Sequence, residues 1–275
     1  MNDVEKSENG FIYVASKEKL FYELAMLSGE SLRTMHRNAH ITLFTHEAWV
    51  DDRAREIFNN VITGIPVHER AKMWCMARTP YENTFYNDVD SQIVSSKIKN
   101  VFNEIKDCDM FFTESYWYTT GNYKWSFFDK EQKIPVKYHG AVCGYRKTDL
   151  TLDFMQTWFD EYLKQRTEPW TYDFAWPDWK IFDMFTLWRL TSGRWKEFER
   201  FNDLNIKIGP KVYNATIHDG KDLYDGKRPI VYQIDKVSMR SKDMTHFYER
   251  LQKGLKDERS LPKKSKTDEN SIWYN

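Results

Sequence analysis

The sequence has 275 residues, enough for one large domain, or a domain with a small appendage, around a substantial core. Its 41 basic and 41 acidic residues cancel, so no global field draws the chain to nucleic acid or an anionic membrane, and a polyanion would need a local patch. Aromatic residues make up 16%, including 11 Trp, a load that calls for a core or for ligands on which rings stack. Three widely spaced cysteines, Cys75, Cys108 and Cys143, form neither a disulfide framework nor a zinc site. The opening residues, MNDVEKSENG, are polar, and no stretch approaches the ~18 apolar residues of a membrane span, so the expectation is a cytoplasmic protein.

In chain order, an apolar run from Phe11 to Ala15 reads as a strand, and Lys17 to about Leu32 as a helix with Leu20, Leu24 and Leu27 at helical spacing. The pattern recurs as Ile41 to Thr45 then Trp49 to Asn59, and as Val61 to Val67 then Glu69 to Ala77. It returns as Thr84 to Asn87 with a helix over Ser95 to Ile105, and then as a strand from Met110 to Thr113. Such alternation predicts an α/β fold, a mostly parallel central sheet with helices on both faces. Between Tyr116 and Phe128 seven rings crowd a segment without clean period, which reads as a loop or irregular hairpin fit to be a ligand platform or lid. Beyond it come a strand from Val136 to Arg146, helices over Leu150 to Gln165 and Lys180 to Leu190, and strands at Ile206 to Tyr213 and Ile230 to Ile234. Residues 1–240 are expected to form the main domain, and 241–275 a closing helix with a mobile charged tail.

The chemistry concentrates at Thr84-Phe85-Tyr86-Asn87-Asp88-Val89-Asp90, where an apolar strand runs into two carboxylates at the edge where open α/β sheets bind ligands. Residues i and i+2 of a strand share a side, so both acids can converge on one cation once the strand ends. Carboxylate oxygens suit Mg2+ or Mn2+, which in turn suit phosphate oxygens. An Asp-x-Asp alone more often marks a solvated turn, so its context must decide.

That context resembles the GT-A glycosyltransferases, in particular the retaining family 8-like and related nucleotide-diphospho-sugar transferases. Gly10-Phe11-Ile12-Tyr13-Val14-Ala15 is similar to their first strand, which cradles the nucleotide and implies contacts near Tyr13 and Ala15. Lys72, followed by Pro80-Tyr81-Glu82-Asn83-Thr84 and the paired acids, resembles their approach to the metal. His139-Gly140-Ala141 resembles the strand that presents the sugar pocket, and Phe182-Asp183-Met184 their Phe-Asp-Gln with Met184 in place of Gln. His218 falls where such enzymes place a third metal ligand, and Lys227 where a lysine meets the diphosphate.

The resemblance implies a hexosyl- or pentosyltransferase in which Mn2+ or Mg2+ on Asp88, Asp90 and His218 binds a nucleotide-sugar, most simply a UDP-sugar, and retains configuration. Asp183 would face the sugar or the acceptor hydroxyl, with Asp178 an alternative general base if the reaction inverts. The acceptor would be a saccharide, a protein side chain or a hydroxylated base in DNA. Two rivals stay open: a nucleotidyltransferase, though Ser16-Lys17-Glu18-Lys19 lacks a glycine-rich phosphate loop, and a non-catalytic module that stacks a glycan or base.

Overall fold

The computed structural model describes residues 5, 7–114, 138–169, 171, 180–215 and 229–233, with the backbone of two short strands, β7 (Phe128–Asp129) and β8 (Ile134–Pro135). The expected aromatic platform between Tyr116 and Phe128, and the closing helix and tail, lie outside the described residues. The chain begins with β1 (Asn9–Val14), α1 (Lys19–Met35), β2 (Ile41–Phe44), α2 (Asp52–Ile57), β3 (Asn60–Ile62), α3 (Ala71–Met76) and β4 (Asn83–Asn87). It continues through β5 (Ser91–Ile93), β6 (Met110–Glu114), β9 (Tyr138–Arg146), α4 (Asp149–Thr167), α5 (Asp183–Thr191), β10 (Ile206–Gly209) and β11 (Val231–Gln233).

Seven strands form one sheet in the order β10-β6-β9-β4-β1-β2-β3. All neighbours run parallel except β9, which is antiparallel to both β4 and β6. The sheet is thus the expected mixed α/β type, with β9 as the departure. Beside it β5 and β11 pair in an antiparallel ribbon, and the Ser31 hydroxyl on α1 accepts from the backbone N–H of Ile93.

Burial on both faces explains the near-continuous apolar strands. Phe11, Tyr13 and Phe85 enter one core layer with Leu24 and Leu27 of α1 and Ile57 of α2. Ile12, Val14 and Tyr86 enter the opposite layer with Met73 of α3 and Phe154, Trp158 and Tyr162 of α4. All three cysteines are buried, and burial pushes each thiol upward in pKa, so none is a ready thiolate.

Phe111 shows how tightly this sheet is built. A Cβ added to Gly144 on β9 would lie 2.2 Å from the Phe111 ring, and one added to Gly209 on β10 would lie 2.4 Å from it. The ring fills the space that both missing side chains vacate. Gly144→Val should therefore lower stability by about 3 kcal/mol or more in urea unfolding, and a variant as stable as the parent would disprove this packing account.

Several expected elements are shorter or wound differently. The helix read over Trp49 to Asn59 is split into a 3-10 turn at Glu47–Trp49 and α2, because the Asp51 side chain accepts from the Ala54 N–H and starts the helix afresh. The strand read over Val61 to Val67 stops at Ile62, ahead of Gly64 at φ 80° and Pro66. Ser96–Asn103 winds as a 3-10 helix rather than an α-helix. The strand read to Tyr213 ends at Gly209, where Pro210 has no N–H to donate, and a 3-10 turn follows at Lys211–Tyr213.

Candidate active site

β4 ends at Asn87, so Asp88 and Asp90 lie in the turn beyond it rather than on the strand. Strand alternation therefore does not bring them together. The turn itself is tightly fixed: the Ser91 N–H donates to the Asp88 carbonyl at 3.1 Å, the Ser91 hydroxyl donates to the same oxygen at 2.6 Å, and the Asn87 side-chain amide donates to Ser91 Oγ at 2.6 Å. The Asp88 N–H is fixed to the Ala141 carbonyl of β9 at 2.8 Å. Asp90 is buried at 5% exposure, and Asp88, Asp90 and Asp183 all act through their charge on the Tyr86 phenol.

Lys72, on the first turn of α3, is the hub of the cluster. Its Nζ donates to Asp88 Oδ1 at 3.0 Å and to the Gly140 carbonyl at 2.8 Å, and lies 3.3 Å from Asp183 Oδ2. Burial pulls the ammonium down in pKa, but the Asp183 and Asp88 carboxylates outweigh it and the net shift is upward. Lys72 is not a solvated surface lysine: it is 7% exposed. The Tyr86 hydroxyl also donates to Asp88 Oδ1. Burial, then the Asp88 charge, holds that phenol well above its usual pKa, so it keeps the proton it donates.

A register slip supplies the Gly140 carbonyl. Along β6 the pairing jumps from Phe112 with Cys143 to Thr113 with His139, so Gly140, Ala141 and Val142 face no β6 partner and β9 bulges at the site. A Cβ on Gly140 would meet the Trp158 ring at 3.2 Å and Asp183 Oδ2 at 3.4 Å, so the glycine leaves room for both. His139 Nδ1 accepts from the Ala141 N–H at 3.2 Å and lies 3.3 Å from the Asn214 side-chain amide, the arrangement of a neutral ring. Burial, with nearby Lys211, pulls its pKa down to about 4, which agrees.

Asp183 opens α5, at 8% side-chain exposure. Arg70, just ahead of α3, places Nε 3.4 Å from Asp183 Oδ1, and the Asp183 charge pushes the guanidinium pKa up. Sequence reasoning singled out neither Arg70 nor Tyr86. Arg70 lies two residues before Lys72 but more than a hundred from Asp183, so local pattern carries no sign of their meeting.

Tyr13 and Ala15 are fully buried, and the Tyr13 ring lies in the core against Phe58. Asp178, His218 and Lys227 fall outside the described residues. Among those described, no group of three or more His, Cys, Asp or Glu side chains is placed to hold a metal ion. Asp88 nevertheless fits one: it spends only Oδ1 on Lys72 and Tyr86, and Mg2+ ordinarily takes one or two carboxylates with phosphates and water completing its shell. Among the described residues, no helix is long and apolar enough to cross a membrane.

The fold itself has known counterparts. No protein-family model matches the chain, and no curated protein matches it in sequence. Solved structures do match in shape. The glycosyltransferase GlyE of Streptococcus pneumoniae TIGR4 superposes with a TM-score of 0.57 at 11% identity over 94% of this chain, and its apo form with 0.56 at 12% identity over 95%. The chain spans 66% of the length of each GlyE structure. An active-site mutant of LgtC superposes with a TM-score of 0.51 at 9% identity, covering 92% of this chain and 97% of that one. At such identities the likeness is one of architecture: the chain has the GT-A glycosyltransferase fold.

Proposed function

We propose that the chain is a metal-dependent glycosyltransferase, related to the family 8-like enzymes, that moves a sugar from a nucleotide-sugar, most simply a UDP-sugar, to an acceptor hydroxyl with retention of configuration. The observation that carries this reading is Lys72 on Asp88 and Asp183 at the C-terminal edge of β4, in a fold shared with glycosyltransferases. Asp88 and Asp90, with His218 as a third ligand, would hold Mn2+ or Mg2+, which when bound supplies positive charge against the departing diphosphate.

The chain's own groups divide the remaining work. Lys72 keeps its proton and fixes Asp88, the Gly140 carbonyl and Asp183 about one point, which preorganises the site before a donor enters. Tyr86 holds Asp88 Oδ1 and leaves Oδ2 out of this contact. Gly140, with no side chain of its own, lets Trp158 and Asp183 pack close to the β9 backbone beside the cluster. Asp183 accepts a hydrogen bond from a sugar or acceptor hydroxyl, with Asp178 the alternative base if configuration inverts. Lys227 would meet the diphosphate, and the acceptor is a saccharide, a protein hydroxyl or a hydroxylated DNA base.

The test is a screen of nucleotide-sugars with and without Mn2+, reading release of the nucleoside diphosphate. Metal-dependent release from one donor is the expected result. Pyrophosphate release from a nucleoside triphosphate and a sugar phosphate would instead make the protein a nucleotidyltransferase, and binding indifferent to metal with no release would make it a module.

A further inference from the structure

We propose that Arg70 is a positioning residue for Asp183, an inference that rests on the glycosyltransferase reading and assigns a role to a side chain outside the expected set.

Three residues of one face of α4 immobilise the main chain around Asp183. Trp158, Tyr162 and Gln165, spaced i, i+4 and i+7, donate to the carbonyls of Asp183 at 2.9 Å, of Ile181 at 3.0 Å, and of Phe182 and Lys180 at 3.0 and 3.1 Å. This rack sets where the Asp183 backbone lies. It leaves the carboxylate's own torsions to other groups.

Two cations act on its opposite oxygens. Lys72 lies 3.3 Å from Oδ2 and Arg70 Nε 3.4 Å from Oδ1, with Lys72 and Asp183 each 8% exposed and Arg70 21%. A carboxylate drawn to two fixed charges from its two sides has one favoured orientation, and at this burial solvent screens the attraction little. Without Arg70 the charge that draws Oδ1 is lost while the one at Oδ2 remains, so the carboxylate turns toward Lys72. Arg70 Nε is itself buried and makes no hydrogen bond. The residue therefore acts through its charge, not through the fork geometry that usually makes arginine irreplaceable. Lysine should then substitute for it where neutral glutamine cannot.

The experiment uses the full chain with Arg70→Gln, Arg70→Lys and the parent, measuring turnover of the donor found in the screen, UDP binding by calorimetry, and a crystal structure of Arg70→Gln. Expected are a kcat about 100-fold lower in Arg70→Gln, within about 5-fold of the parent in Arg70→Lys, and UDP affinity within about 2-fold in both. The crystal structure should show the Asp183 carboxylate turned from its place. An unchanged kcat in Arg70→Gln, a loss equally deep in Arg70→Lys, or weakened UDP binding that betrays general collapse overturns the proposal, as does an Asp183 carboxylate left undisturbed. A parent that turns over no nucleotide-sugar defeats the glycosyltransferase reading instead, while the crystal structure still decides what Arg70 does to Asp183.

Discussion

Asp88→Asn should reduce nucleotide-sugar turnover by about three orders of magnitude while leaving the protein folded, with a stability loss of only about 1–2 kcal/mol. The amide keeps the shape of the side chain and still accepts from Tyr86 and Lys72 through its oxygen, so the turn fixed by Ser91 and Asn87 has no reason to move. What it loses is charge. Oδ2, the oxygen left over from those contacts, becomes an NH2 group that repels a cation. Kinetics at saturating Mn2+, paired with urea unfolding, checks both halves. Near-parental turnover would show that Asp88 is a structural acid and nothing more.

Lys72→Met should act in the opposite proportion, striking stability as well as turnover. The ammonium serves two carboxylates and one carbonyl from a side chain only 8% exposed, and Asp183 is equally enclosed. Methionine fills the volume but leaves the acids facing each other without their shared cation. Removing one partner of a buried ion pair costs about 3–5 kcal/mol, and that range is expected in denaturant unfolding. Turnover should fall by at least about 100-fold at temperatures where the variant is still folded. A variant as stable as the parent would mean that Arg70 or solvent compensates Asp183 alone. The contrast with Asp88→Asn separates an acid kept for ligand chemistry from a cation that also holds the site shut.

Much of this was legible because apolar period and ligand chemistry are local. The run from Thr84 to Asn87 into Asp88 announced a strand ending in acids, and β4 does end at Asn87, with Asp88 and Asp90 in the turn beyond rather than on the strand. Lys72 was visible only through its likeness to a known pattern. Three things were not readable. The reversed direction of β9 has no local signature, since a strand paired either way shows the same apolar residues. The 3-10 winding of Ser96–Asn103 buries Ile98 and Val101 at a spacing of three, which an α-helix tolerates equally. Arg70 and Tyr86 join the cluster through contacts that folding alone creates, one across the chain and one from a residue whose hydropathy marks it as core.

The sealed thiols have a practical corollary. Because Cys75, Cys108 and Cys143 are all enclosed, a cysteine placed at Val67, which is 73% exposed, would be the first to meet a maleimide dye. Val67 stands three residues before Arg70, so a fluorophore attached there would report from close to the acid cluster. Binding could then be followed by light, without first stripping the native sulfurs from the interior.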